Sequence, residues 1–252
     1  MVRKFYRFFI YYDINEQVET EFIVPLATIF RKSNYEILPL LKAFFSSEHF
    51  MDSAVFGSLI SSPLEFMVKT LRHLNPPTPS LAENVYVNYS ISGVYMRLAE
   101  SFQQLIGDPP SVSGWPAYYQ TPIYHELWIN SDTYQKRNKA LLVLIYNEIR
   151  REGYRVNADL ISFVSQFSNP GNPEILINDL SKTFFSVDIS MELKGKIKKD
   201  ILLAGQSNDF YWTELWDGYQ KQQSKKDIKD MLEQRLRSLV LYMVSLPEYQ
   251  LM

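Results

Sequence analysis

The stretch SKKDIKDMLEQRLRSLVLYMVSLP, residues 224–247, decides the fold. Ile228, Leu232, Leu236, Leu239, Val240 and Met243 recur at steps of three and four, so they share one face of a helix. Ser224 marks the expected start, and Pro247, which cannot continue a helix, marks the stop. The same grammar extends upstream. Ser190 caps a segment that stops at Gly205. Asn172 precedes Pro173, a cap followed by the helical position where a missing N–H costs nothing. Asn157 opens a short helix through Phe167. A longer helix is expected from about Ser131 to Arg151, with Tyr134, Leu141, Leu142, Ile145 and Ile149 on its apolar side and Gly153 ending it. Another runs from Leu81 to about Leu105, lined by Val94, Leu98, Phe102 and Leu105. Ser62-Pro63-Leu64-Glu65 has the form of a capping box, and Asn75-Pro76-Pro77-Thr78-Pro79 ends the helix it starts. Asn34 is expected to cap a helix bearing Ile37, Leu41, Phe44 and Phe45. Asn15 starts the first segment, which Pro25 is expected to interrupt or restart.

Strand signals are weak. No convincing alternation is bounded by hairpin turns, and there is no Asn-Gly or Asp-Gly pair. Asn84 to Ser92 has a strand-like composition but fits a helix or loop within the surrounding pattern. The expectation is an all-α fold: one helical domain over residues 1–252, an irregular bundle of about eight or nine helices, with one long loop rich in proline and aromatics.

Composition narrows the chemistry. The 252 residues are 46% hydrophobic and 21% charged, which suits a packed core and excludes wholesale disorder. The absence of cysteine excludes thiol catalysis, disulfides and Cys-based zinc or iron–sulfur sites. A net charge of −2 gives no global pull toward nucleic acid. Met1 to Asp13 superficially resembles a signal peptide. Its apolar run after Arg7 has two tyrosines and no small-residue cleavage site follows, so that reading is rejected. Ala140 to Tyr146, the longest other apolar run, is far short of the ~18 residues a membrane span needs. The compartment stays open, because an export signal would have to lie in an upstream segment.

Between Leu105 and Ser131 helical periodicity disappears. Residues 107–130 hold Pro109, Pro110, Pro116 and Pro122 among Trp115, Tyr118, Tyr119, Tyr124 and Trp128. Proline excludes a regular helix or central strand there and lowers the entropy lost when the loop orders. The rings have two uses. Trp115 and Trp128 can plug helix ends as a structural lid, or exposed rings beside Asp108, His125, Glu126 and Asn130 can stack a saccharide or another flat ligand.

The remaining candidates are sparse. His49, His73 and His125 have no metal-ligand spacing, so no metal site is expected, and only His125 beside Glu126 merits acid–base consideration. Asp108 and Glu126 are the carboxylates that a glycosidase would bring together. No Gly-x-Ser-x-Gly elbow, Gly-x-Gly-x-x-Gly turn or Walker loop is present, and no cofactor is expected. The basic run Lys194 to Lys199, with Lys225 and Lys226, reads as a solvated face balanced by Asp200, Asp227 and Asp230, not as a nucleic-acid surface. Arg137, about two turns into its helix, is expected to reach under the aromatic loop and donate to its carbonyls.

Taken in order, Pro109-Pro110-Ser111-Val112-Ser113-Gly114-Trp115-Pro116, Trp128-Ile129-Asn130 and Arg137-Asn138 resemble the C-terminal signature of the bacterial family called domain of unknown function 1800. Upstream, Tyr35 to Phe50 and Ser61 to Phe66 agree, as does Ser245-Leu246-Pro247-Glu248-Tyr249-Gln250 at the end. Ser111 and Ser113 stand where the resemblance expects Asn and Lys, and extra residues separate Trp115 from Trp128. The resemblance implies a C-terminal half of a longer protein, and it brings no activity and no catalytic residue.

The leading expectation is a helical interaction or ligand-binding domain contacting its target through loop 107–130, with Trp115, Tyr118, Tyr119, Tyr124, Trp128, Asn130 and Arg137 as contact residues. The alternative is a hydrolase on saccharide using Asp108, Glu126 and His125. Expected partners are the missing N-terminal region of the same protein or another protein, with saccharide as the candidate ligand, no nucleic acid and no membrane span.

Overall fold

The computed structural model describes residues 1–147 and 149–252. The fold is predominantly helical. In chain order the helices are α1 (Val2–Phe9), α2 (Glu16–Val18), α3 (Val24–Lys32), α4 (Ile37–Phe45), α5 (Glu48–Met51), α6 (Pro63–Leu74), α7 (Val85–Ser101), α8 (Ser131–Tyr146), α9 (Leu160–Val164), α10 (Pro173–Phe184), α11 (Met191–Lys196), α12 (Phe210–Lys221) and α13 (Lys226–Val244). Nine of these, among the described residues, have eight residues or more. The strand-like stretch at 84–92 falls in α7, which Asn84 caps by accepting from the Val87 N–H.

The main core is organised on α13. Leu232, Leu236, Leu239, Val240 and Met243 are buried, as their spacing required, and Val244 joins them. Helices α8, α9, α10 and α12 pack around this rod, with a wide π-helical turn at Ile197–Leu202. Burial of each such aliphatic side chain stabilises the fold by roughly 1.5–3 kcal/mol before entropy is counted. A second apolar cluster joins α1, α3 and α4 through Val2, Tyr6, Ile10, Phe22, Leu26, Leu40 and Phe44. The capping box at the head of α6 is formed: Ser62 Oγ accepts from the Glu65 N–H at 3.2 Å, and Glu65 Oε2 accepts from the Ser62 N–H at 2.7 Å.

Several boundaries differ from expectation, each for a local reason. The helix from Ser131 ends at Tyr146, because Asn147 turns extended at φ −96°, ψ 154°. A hairpin follows, β1 (Ile149–Arg151) antiparallel to β2 (Tyr154–Val156). Glu152 and Gly153 close it at φ 46° and 84°, so Gly153 is a turn residue and not a helix stop. Their paired positive φ values belong to the two-residue turn that follows strand twist, here with Glu in the place usually held by Asn or Asp. Ile149 therefore buries opposite Val156 instead of on a helix face.

Of the two outcomes expected at Pro25 the structure has the second: the proline sits in the first turn of α3 with no break in the chain's helical course. A five-residue π turn, Glu19–Ile23, precedes it, and the Val24 N–H reaches back to the Glu19 carbonyl. The widened turn gives the proline ring space that a regular turn denies it, and the chain stays helical from Glu16 to Lys32. Asn34 and Tyr35 are left-handed turn residues (φ 55° and 63°), so α4 starts after Glu36. Asp159, not Asn157, caps α9 by accepting from the Ser162 N–H. Helices α1 and α12 were not expected from the sequence.

A buried polar chain ties α6 to the 3-10 turn Pro247–Gln250. Tyr249 donates its hydroxyl proton to Thr70 Oγ1 at 3.2 Å, and Thr70 donates to the Phe66 carbonyl at 2.8 Å. His73 Nδ1 lies 3.2 Å from the Tyr249 oxygen and must be the donor there, so the neutral ring carries its proton on Nδ1. Burial, helped by the charge of Lys69, pushes His73 down to about 4 from its usual 6.5. The unfolded chain binds that proton between pH 6.5 and about 4 while the folded chain does not, so stability falls as pH drops through this window. Denaturant midpoints should decline from pH 6.5 to 4, and His73→Gln should make the decline shallower; parallel curves for the two proteins would refute the role of His73.

Candidate functional site

The loop after α7 is ordered by its own turns. Gly107 and Gly114 adopt φ 83° and 91°, conformations that residues with a Cβ rarely take. Pro116–Tyr118 and Tyr124–Trp128 are short 3-10 turns. The Gln120 N–H bonds the Pro116 carbonyl at 2.7 Å, and the Tyr124 N–H bonds the Gln120 carbonyl at 2.9 Å. Ala117 and Trp128 are buried beneath the loop, and Trp128 meets the Tyr118 ring edge-on at 5.4 Å. Gln104 holds the loop to α6: its Oε1 accepts from the Leu64 N–H at 2.9 Å, and its Nε2 donates to the Tyr118 hydroxyl at 3.4 Å.

Arg137 lies fully buried under the loop. It donates to the Trp128 carbonyl at 3.3 Å, the Ser61 carbonyl at 3.0 Å and Gln250 Oε1 at 3.0 Å, and it stacks over the Phe66 ring at 5.0 Å. The expected reach to the loop's carbonyls is therefore present. No carboxylate lies within ion-pair distance of it among the described residues. Burial pushes Arg137 down to about 10, with Glu65 opposing the fall. Lys69 donates to the Tyr249 and Leu251 carbonyls at 2.6 and 3.0 Å, and burial plus the charge of Arg137 push it down to about 8.

The loop walls two clefts. One, of about 590 Å³, is lined by Glu100, Gln103, Asp108, Trp115, Gln120 and Asn130, with Trp128 at its base. The other, of about 450 Å³, lies against α1 and takes Tyr118, Tyr119, Tyr124 and His125 from the loop, with Lys4 and Arg7 from the helix. The proposed ring anchors are thus split between two sites, and only Trp128 and Ala117 touch both. Asp108 and Glu126 do not share a cleft: Glu126 Oε1 accepts from the Tyr12 hydroxyl at 3.1 Å outside both. Asn130 spends its side-chain oxygen capping α8, accepting from the Asp132 and Thr133 N–H groups. His125 Nδ1 accepts from the Ile60 N–H at 3.2 Å, and burial lowers its pKa. The residues missed in sequence are Glu100, Gln103 and Gln120 in one cleft and Lys4, Arg7 and Phe8 in the other. Glu100 was hidden because it lies one turn before the loop, and Lys4 and Arg7 because they lie about a hundred residues away from it.

Among the described residues, no group of three or more His, Asp or Glu side chains is arranged to hold a metal ion, and no helix is long and apolar enough to cross a membrane.

A helical protein whose ordered Gly-Trp-Pro loop is seated on a buried arginine is the class that fold and site define. The chain belongs to the family described as "Protein of unknown function (DUF1800)", whose model matches residues 1–251. No curated protein and no solved structure matches it.

Replacing Arg137 with Ala leaves the buried Ser61 carbonyl and Gln250 Oε1 without a donor, while the Trp128 carbonyl keeps a 3.3 Å bond from the Thr133 hydroxyl. Each unsatisfied group costs about 1–3 kcal/mol, partly offset by release of a desolvated charge. A net loss of about 3 kcal/mol corresponds to a fall of roughly 6–12 °C in Tm for a chain of this size. Differential scanning calorimetry of Arg137→Ala measures it, and an unchanged melt would remove the structural role.

Proposed function

We propose that the protein is a ligand-binding helical module whose contact surface is the Trp115 cleft, with saccharide as the ligand class. The observation that carries this reading is the lining itself. A half-buried indole stands beside two carboxylates and three amides, Glu100, Asp108, Gln103, Gln120 and Asn130. A sugar offers an apolar C–H face for stacking and a rim of hydroxyls for such groups to bond.

A hydrolase acting on saccharide is the alternative. Glu100 and Asp108, which share the cleft, are its carboxylate pair in place of Asp108 and Glu126. Both side chains are exposed, whereas a general acid that stays protonated near neutral pH needs burial to raise its pKa. Exposure therefore favours binding over hydrolysis.

A glycan array tests both. Binding of at least one glycan is expected, weakened about fivefold to tenfold by Trp115→Ala, the worth of one aromatic stacking contact. Silence across the array would reject the saccharide class. Release of reducing ends by the wild type, lost in Asp108→Asn, would establish the hydrolase instead.

A further inference from the structure

The second cleft has a different chemistry from the first. Lys4 and Arg7 lie three residues apart on α1, so they share a face. Lys4 is exposed, and its ammonium makes no hydrogen bond or ion pair among the described residues. Arg7 has no carboxylate partner among them; its Nε donates to the Tyr12 carbonyl at 3.3 Å, and its guanidinium lies 5.5 Å from the Tyr124 ring centre. His125 also lines this cleft. Since its Nδ1 accepts from the Ile60 N–H, the neutral ring carries its proton on Nε2, and that buried N–H has no partner.

The charges behind the wall have the same sign. Arg137 bonds the carbonyls of Ser61 and Trp128, and Lys69 that of Leu251, residues that line the cleft or adjoin its lining. Neither is ion-paired among the described residues. The one carboxylate in the lining, Glu65, is engaged by the Ser62 N–H. Four cations therefore bear on the cleft against two carboxylates, both engaged: Glu65, and Glu126, whose charge reaches His125 and whose Oε1 accepts from the Tyr12 hydroxyl. Its remaining walls are mostly apolar, with Phe8 stacked on Tyr118 at 6.1 Å beside Tyr119 and Tyr124, and Leu59, Ile60 and Met252 completing them.

We propose that the cleft between α1 and the loop binds a small organic anion: a carboxylate or phosphate group held by Lys4, Arg7 and the His125 Nε2–H, on a flat apolar body lying among the tyrosine rings. The group supplies the charge these cations lack and the acceptor His125 lacks. The body replaces water on exposed aromatic surface. This site is separate from the saccharide cleft and stands whether or not that one binds sugar.

Isothermal titration calorimetry with benzoate, phenyl phosphate and neutral benzyl alcohol tests it, with the two anions distinguishing carboxylate from phosphate. At least one anion should bind with one-to-one stoichiometry, at least tenfold more tightly than the alcohol and more weakly as salt rises. Lys4→Met with Arg7→Met should weaken it tenfold or more, Lys4→Glu alone should weaken it measurably, and Trp115→Ala should leave it unchanged. His125→Asn keeps an acceptor for the Ile60 N–H, removes the ring donor, and should also weaken it. Equal affinity for the alcohol, no binding of either anion at millimolar concentration, or full affinity in Lys4→Glu would overturn the proposal. Lys4→Glu keeps the test decisive should the double variant unfold.

Discussion

The structure depends on one guanidinium. Arg137, on α8, reaches the carbonyl that precedes α6, the carbonyl at the end of the aromatic loop and the side chain of Gln250 in the final turn. A charge buried without a counter-ion is costly; here its two Nη groups donate to three acceptors on three segments, while the buried Nε has no partner among the described residues. Lys could not replace it, since a single ammonium cannot span three segments. The loop therefore owes its order less to its prolines than to what lies beneath Trp128.

The loop also stands between the two apolar clusters. On one side Trp128 and Gln104 anchor it to α8 and α6; on the other Tyr118 stacks on Phe8, and Glu126 accepts from Tyr12. Its rings divide accordingly. Trp115 faces a carboxylate- and amide-rich cleft, while the tyrosines line a cationic one. One irregular segment thus presents two chemistries, and a sequence in which all five aromatics stand within fourteen residues does not separate them.

Much of the architecture was legible. The spacing along α13, the capping box of Ser62 and Glu65, and the Asn172-Pro173 start each state a local rule that tertiary packing had no reason to override. A failure fell where geometry bends a rule: a hairpin closes on Glu152-Gly153, outside the usual turn pairs. Pro25 restarts its helix without a break because the preceding turn widens. The candidate site was half legible. Composition singled out the loop, and the length of an arginine side chain suggested that Arg137 supports it. Which carboxylate joins Trp115 is set by how α7 ends, and the cations opposite Tyr124 come from α1. Such long-range placement leaves no trace in residue spacing.

The last residues are threaded back onto the middle of the chain. Lys69 grips the Tyr249 and Leu251 carbonyls, the Met252 N–H bonds the Leu59 carbonyl, and Ile60 bridges Leu251. During synthesis, α6 therefore emerges from the ribosome roughly 180 residues before the acceptors that satisfy its lysine. Until then Lys69 lacks these two carbonyl partners, so this set of α6 contacts closes only after a long stretch of chain has followed. The consequence is a helix in the middle of the chain whose burial is completed late, by residues some 180 positions further along.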